Sequence, residues 1–160
     1  MAIGGAALRL GTTLLYALEF CCAGIILGIY SYFLAVQADR DNAIPRWQQA
    51  VEGISGAIVL YTIFAVVFTC CLGGKAFFAL LGLIMNVLCM GGFIAIAVLT
   101  RDGAHSCKGD NVQTPLGNGP EDAKQGFENG NSESQYTYSA SLGSICRLNT
   151  ACFAVAIAGA

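Results

Sequence analysis

Three apolar runs, each about 20 residues or longer, constrain this chain more than any other feature. A helix needs about 20 apolar residues to cross a hydrocarbon core about 30 Å thick, because each residue rises 1.5 Å. The first run extends from Leu10 to Val36, is interrupted by Glu19, and is cleanest over Ala17–Val36. The second spans Ile54–Leu72 and the third Phe77–Leu99. A fourth apolar stretch begins near Thr150, within 147–160, and amounts to about half a span by the same measure. Carbonyls stranded in lipid are costly, so the native protein is expected to continue beyond Ala160. The first run is too long for a signal peptide, contains Glu19 and is followed by no small-x-small cleavage site, so it is read as a retained span.

Only 11% of the 160 residues are charged and 56% are hydrophobic. A soluble domain carries about 25% charged residues, so a soluble enzyme domain is excluded, as is disorder over most of the chain. A net charge of −2 gives no electrostatic reason for nucleic-acid binding. The prediction is an all-α fold: a single transmembrane four-helix bundle over 1–160, with spans near 10–36, 54–72, 77–99 and 147–160. A long loop at 100–146 connects helices 3 and 4. Between the first two spans, Gln37–Gln49 is a short polar link in which Pro45 breaks the helix and Trp47 suits a membrane–water boundary. Gly73, Gly74 and Lys75 form a tight turn, making spans two and three an antiparallel hairpin. The loop is rich in Gly, Asn, Ser, Asp and Glu, and its middle, 118–134, reads as flexible.

Glu19 is the only acid well inside an apolar run. A buried carboxylate in a membrane is by default functional or paired. Its place near a span entrance favours an interfacial or structural role first, ion or proton handling second, and a lipid or partner contact third. Asn86, midway along span three, is expected to hydrogen-bond across helices. Gly24 and Gly28 form a GxxxG, and Gly53 with Ala57 and Gly91 with Ala95 repeat the small-xxx-small spacing. Close backbone approach at small residues drives helix packing in lipid, so these faces are expected to pack within one chain or between chains.

Eight cysteines invite a redox reading, but Cys21-Cys22 and Cys70-Cys71 are adjacent pairs and not Cys-x-x-Cys. Neighbours on a helix point about 100° apart, so packing is the default. Cys70 and Cys71, at a span end beside the basic turn, suit reversible palmitoylation. His105, the sole histidine, has only Cys107 nearby as a soft ligand, so no metal set forms and no metal or cofactor is expected. No phosphate loop, nucleophile elbow or paired catalytic carboxylates occur, which argues against an enzyme. Cys107 and Cys146 are the only cysteines on the long-loop side, one near each end of the loop. They are expected to form a disulfide, closing a loop that the chain-entropy model values at about 4 kcal/mol; two free thiols are the alternative. Lys and Arg are commoner on the loop side, which taken literally makes it cytoplasmic. A disulfide argues the opposite, since it needs an oxidising compartment. The termini are read as cytoplasmic and the loop as extracellular.

At these residues the chain resembles the fungal MARVEL-domain tetraspan proteins. The matching stretches are ALEFCCAGIILGIYSYFLAV, IPRWQQAVEGISGAIVLYTIFAVVFTCCLGG, AIAVLTRDGAHSCKGDNVQTPLGNG and SICRLNTACFAVAI. The most specific part is Thr100-Arg101-Asp102-Gly103-Ala104 leading to Cys107, with a turn at Thr114-Pro115 and a later Cys146-Arg147-Leu148-Asn149. The resemblance implies four spans, cytoplasmic termini and a plasma-membrane location. It also implies membrane apposition, specialised lipid domains or vesicle traffic as the field of action, and it carries no catalytic residue over.

The leading functional reading is a non-catalytic membrane organiser. Its expected partners are lipids, including sterol or sphingolipid, copies of itself, or larger membrane proteins. The alternative is a small transporter or channel-like protein using Glu19 and Asn86. It is disfavoured because spans two and three show only scattered Ser, Thr and Asn where a pore repeats polar residues along one face. A thiol oxidoreductase ranks third, because the cysteine spacing is wrong.

Overall fold

The computed structural model describes residues 2–39, 43–72, 76–122 and 140–160, with side chains from residue 10 onward except 69–72, 76–79 and 102. Four helices carry the fold: α1 Ala2–Ala38, α2 Arg46–Leu72, α3 Ala76–Leu99 and α4 Leu142–Gly159. Between α3 and α4 come a 3-10 turn, Arg101–Ala104, and two short strands, β1 Val112–Thr114 and β2 Gly117–Gly119. All four helices are long and apolar enough to cross a membrane. The chain is therefore an all-α four-helix bundle and a multi-pass membrane protein.

The helices form a ring. α1 packs on α2 and α4, and α3 packs on α2 and α4. Among the described residues, α1 and α3 face each other across a diagonal, as do α2 and α4. Up-down-up-down order puts the α1–α2 link and the long connection at one end, the loop end. The start of α1, the end of α2 and the start of α3 lie at the other, toward which α4 runs; the tight turn expected at Gly73, Gly74 and Lys75 falls outside the described residues.

Two helices start earlier than the apolar runs indicate. α2 begins at Arg46, eight residues before Ile54, because Pro45 does not only break a helix but opens one: its carbonyl accepts from the Gln48 and Gln49 amides. The polar first turns are helical because they are covered; Gln48, Val51 and Ser55 are fully buried. α4 begins at Leu142, five residues before the expected 147, and its 18 residues rise about 27 Å.

Each helix buries one narrow stripe at alternating three- and four-residue spacing. In α1 it is Tyr16, Ala23, Ile26, Tyr30, Phe33 and Gln37. In α2 it is Gln48, Val51, Ser55, Ile58, Thr62 and Ala65. In α3 Cys89, Phe93, Ile96 and Thr100 follow the rule, and in α4 Leu142, Ile145, Asn149, Cys152 and Ala156 do. This is the seam of bundles with small crossing angles. The outward positions are as apolar as the inward ones: Leu15, Leu60, Phe64, Leu83, Val87 and Val98 are exposed. In lipid such exposure costs nothing, and polar side chains instead collect inside. Buried hydroxyls are satisfied within their own helices: Thr62 donates to the Val59 carbonyl at 2.9 Å and Thr100 to Ile96 at 2.8 Å.

Close helix approach occurs at glycines other than those the GxxxG spacing selects. A Cβ at Gly92 would lie 3.1 Å from Ile54 and 3.2 Å from Ile58 on α2. One at Gly159 would lie 2.8 Å from the Phe93 ring on α3. At Gly24, Gly28, Gly53 and Gly91 an added Cβ meets nothing within 4 Å. At those four glycines no described neighbour approaches closely. Gly92→Leu is expected to lower monomer stability by about 1–3 kcal/mol through overpacking. Gly24→Leu with Gly28→Leu should leave it within about 0.5 kcal/mol. Unfolding of detergent-isolated monomer, followed by circular dichroism, checks both.

Candidate functional site

Two polar clusters stand out, one at each end of the bundle. At the loop end, the 3-10 turn Arg101–Ala104 lies against α4: Gly103 sits so close to Asn149 that an added Cβ would be 2.8 Å from its carbonyl oxygen. Here glycine is required by close approach. The Thr150 hydroxyl lies 2.6 Å from the Gly103 carbonyl and 3.0 Å from that of Cys146, and donates between them. One turn away, Cys107 and Cys146 form a disulfide with Cα atoms 5.6 Å apart, within the usual range. From α1, the Tyr30 hydroxyl donates to Asn149 Oδ1 at 3.1 Å, and the Tyr32 hydroxyl accepts from the Ala140 amide at 3.2 Å. Trp47 stands edge-on to Tyr30, with ring centroids 6.3 Å apart, so it braces this layer.

The β-hairpin completes the cap. Val112 pairs with Gly119 and Thr114 with Gly117, leaving Pro115-Leu116 as a two-residue loop. The Thr114 hydroxyl donates to the Gly117 carbonyl and accepts from the Leu116 amide. Gly117 has φ +137°, a conformation open to glycine. Leu116 is buried in the main core. The Pro115 carbonyl accepts from both Gln37 Nε2, 3.1 Å, and Gln48 Nε2, 2.8 Å. One loop carbonyl thus ties the end of α1 to the start of α2, while the two amide oxygens, Gln37 Oε1 and Gln48 Oε1, are buried without a partner.

At the opposite end, the diagonal gap between α1 and α3 is not filled. A cavity of about 260 Å³ lies there, lined by Thr12, Leu15, Tyr16, Leu18, Glu19, Asn86 and residues 158–160 at the end of α4. Glu19 Oε2 is buried and meets no hydrogen-bond partner among the described residues. Asn86 Oδ1 accepts from the Tyr61 hydroxyl at 2.9 Å, a bond from α2 to α3. Tyr16 stands edge-on to Tyr61, with centroids 6.4 Å apart.

The sequence-derived candidates fall out as follows. Cys107 and Cys146 are joined, Asn86 links two helices, and Glu19 shares a cavity with Asn86. Gly28, Gly53, Ala57 and Gly91 face outward; Gly24 and Ala95 are half-buried. Cys70 and Cys71 lie near the end of α2, and their side chains fall outside the described residues. Cys22, Cys89 and Cys152 are buried singly. Among the described residues no group of three metal-ligating side chains occurs. Sequence reasoning missed Tyr61, Gln37, Gln48 and Asn149. All four stand at three- or four-residue spacing from other inward positions; uniform apolarity hid that signal around Tyr61, and the polar link hid it around Gln37 and Gln48.

The fold and its sites define a class, a multi-pass membrane protein with a disulfide-stapled cap on four helices. No family model, curated protein or solved structure matches the chain.

Replacing Cys107 and Cys146 together by Ser is expected to lower stability by about 2–4 kcal/mol. It should also raise amide exchange across 101–119, with α2 and α3 little changed. Hydrogen-exchange mass spectrometry under matched conditions checks this; equal exchange in both forms would leave the staple without a structural role.

Proposed function

We propose that the protein is a non-catalytic organiser of membrane domains, of the MARVEL kind, that assembles with lipids and with copies of itself or larger membrane proteins. One observation carries the reading: Gly28, Gly53, Ala57 and Gly91 are exposed, and no described neighbour lies within 4 Å of a Cβ added at Gly24, Gly28, Gly53 or Gly91. Outward small faces are the surfaces on which membrane helices approach one another closely. The bundle interior is meanwhile occupied: Tyr30, Phe33, Phe93 and Ile96 are fully buried. Such a core suits a scaffold more than a conduit. The disulfide supports an orientation with the loop outside the cell and the termini in the cytoplasm, at the plasma membrane, since a bridge of this kind persists in an oxidising compartment.

A second reading, a small transporter, draws on the cavity shared by Glu19 and Asn86. It is the weaker one, because that cavity is lined from the end of the bundle away from the loop, and the core residues beyond it are tightly packed.

The two readings separate in nanodiscs. The organiser reading expects oligomers by native mass spectrometry, shifted at least tenfold toward monomer by Gly24→Leu with Gly28→Leu, and no ion or proton flux in vesicles. Monomers unaffected by those substitutions, together with flux lost in Glu19→Gln, would replace it with transport. An epitope inserted between residues 129 and 130 is expected to be reached by antibody on intact cells; labelling only after permeabilisation would invert the orientation.

A further inference from the structure

We propose that the Cys107–Cys146 bridge is a reducible latch: a small thiol opens it at Cys107, and the hairpin plug of residues 112–119 then lifts from Gln37 and Gln48. The inference is independent of the organiser reading, which needs only the outer faces of the bundle.

The two sulfurs are unequally placed. Cys107 is half-exposed, and Ser106 and Lys108 beside it are exposed. Cys146 is 1% exposed. An incoming thiolate therefore meets Cys107 Sγ. Each cysteine is followed in the chain by an exposed cation, Lys108 or Arg147. The Cα atoms of the bridge are 5.6 Å apart, so both cations flank it. Positive charge at a bridge draws a thiolate in and stabilises the thiolate that leaves.

The chemistry balances with a dithiol as the reductant. One of its thiolates bonds to Cys107 Sγ, the protein S–S bond breaks, and Cys146 leaves as a thiolate that takes up a proton. The reagent's second thiol gives up its proton and attacks the reagent sulfur of the mixed disulfide. Cys107 leaves and is protonated, and the reagent departs as a cyclic disulfide. Two electrons and two protons have passed to the protein.

The seat of the plug makes the cut consequential. Val112 and Leu116 are buried, and the Pro115 carbonyl accepts from Gln37 at 3.1 Å and Gln48 at 2.8 Å. Yet Gln37 Oε1 and Gln48 Oε1 are buried and meet no partner among the described residues. A buried acceptor without a donor forfeits its hydration. Two of them make the seat a weak one, and the bridge supplies the restraint that the seat lacks. Lifting the plug returns water to both oxygens.

The same connection favours reclosure. The Glu121 amide donates to the Gly109 carbonyl at 3.2 Å, and the Glu121 carbonyl accepts from the Gly143 amide at 3.0 Å. This strap keeps the opened segment beside α4. Cys21, Cys22, Cys89 and Cys152 sit within the helices, so Cys107 closes again on Cys146.

The test uses the protein in phosphatidylcholine nanodiscs. Dithiothreitol is expected to open the bridge in the folded bundle at a rate within about tenfold of that in denatured protein, with the far-ultraviolet helix signal kept. Amide exchange across 112–119 should then rise about tenfold. The emission of Trp47, the sole tryptophan, which precedes Gln48, should shift to the red. Both changes should reverse on reoxidation. Trapping with 2-mercaptoethanesulfonate should place the mixed disulfide on Cys107 and leave Cys146 open to alkylation. Lys108→Gln should slow this sulfonated thiol by about threefold, the worth of one charge near the bridge in water, and cysteamine by less. A bridge reduced only once the helices unfold is a plain structural staple and overturns the proposal. Opening that leaves the hairpin exchange and Trp47 unchanged, or a mixed disulfide found on Cys146, overturns it as well.

Discussion

The attachment of α4 to the loop end is the interaction on which the rest of this structure depends. In hydrocarbon no hydrophobic effect drives helices together, so tethers and polar pairs must do so. Along the chain α4 is distant from α3, separated by residues 100–141. Through the Cys107–Cys146 bridge the path shrinks to the eight residues from Thr100 to Cys107, followed by one covalent link. Asn149 and Thr150 then set the angle, one bonded to Tyr30 of α1 and the other to Gly103 of the turn after α3. With α4 held there, Gly159 can lie against Phe93 and the ring of four helices closes.

The loop that carries the bridge also acts as a plug. Leu116 enters the core, and the Pro115 carbonyl gathers the amides of Gln37 and Gln48. The two ends of the bundle therefore differ in kind. The loop end is filled by side chains from five elements. The other end has fewer polar ties, and there Asn86 accepts from Tyr61 while one Glu19 carboxyl oxygen is buried and meets no partner among the described residues.

How much of this was legible beforehand follows from the solvent. The spans were readable because apolar length is a direct signal, and the bridge was readable because only two cysteines lay on that side. Asn86 was readable because an amide in lipid must find a partner, and Tyr61 is that partner. The inward stripes were not, because in α3 outward Leu83 and Val87 are as apolar as inward Phe93 and Ile96, so no hydrophobic periodicity marks the core. The early starts of α2 and α4 were hidden for the opposite reason: Gln48 and Ile145 lay in segments read as connections, yet both are buried. GxxxG spacing identified outward glycines, while Gly92 and Gly159, which do touch neighbours, follow no motif. The hairpin at 112–119 has too few apolar residues to announce a strand, and only the Thr-Pro-x-Gly turn hinted at it.

The account rests on α3 presenting Leu83, Val87, Ile94 and Val98 to lipid and Cys89, Phe93 and Ile96 to the bundle. A nitroxide scan of residues 80–99 in bilayers, with accessibility to dissolved oxygen measured at each position, tests this directly. The account predicts an oscillation of about 3.6 residues, with minima at 89, 93 and 96 and maxima at 83, 87, 94 and 98. Uniform accessibility along the helix, or maxima at the positions assigned to the core, would contradict it.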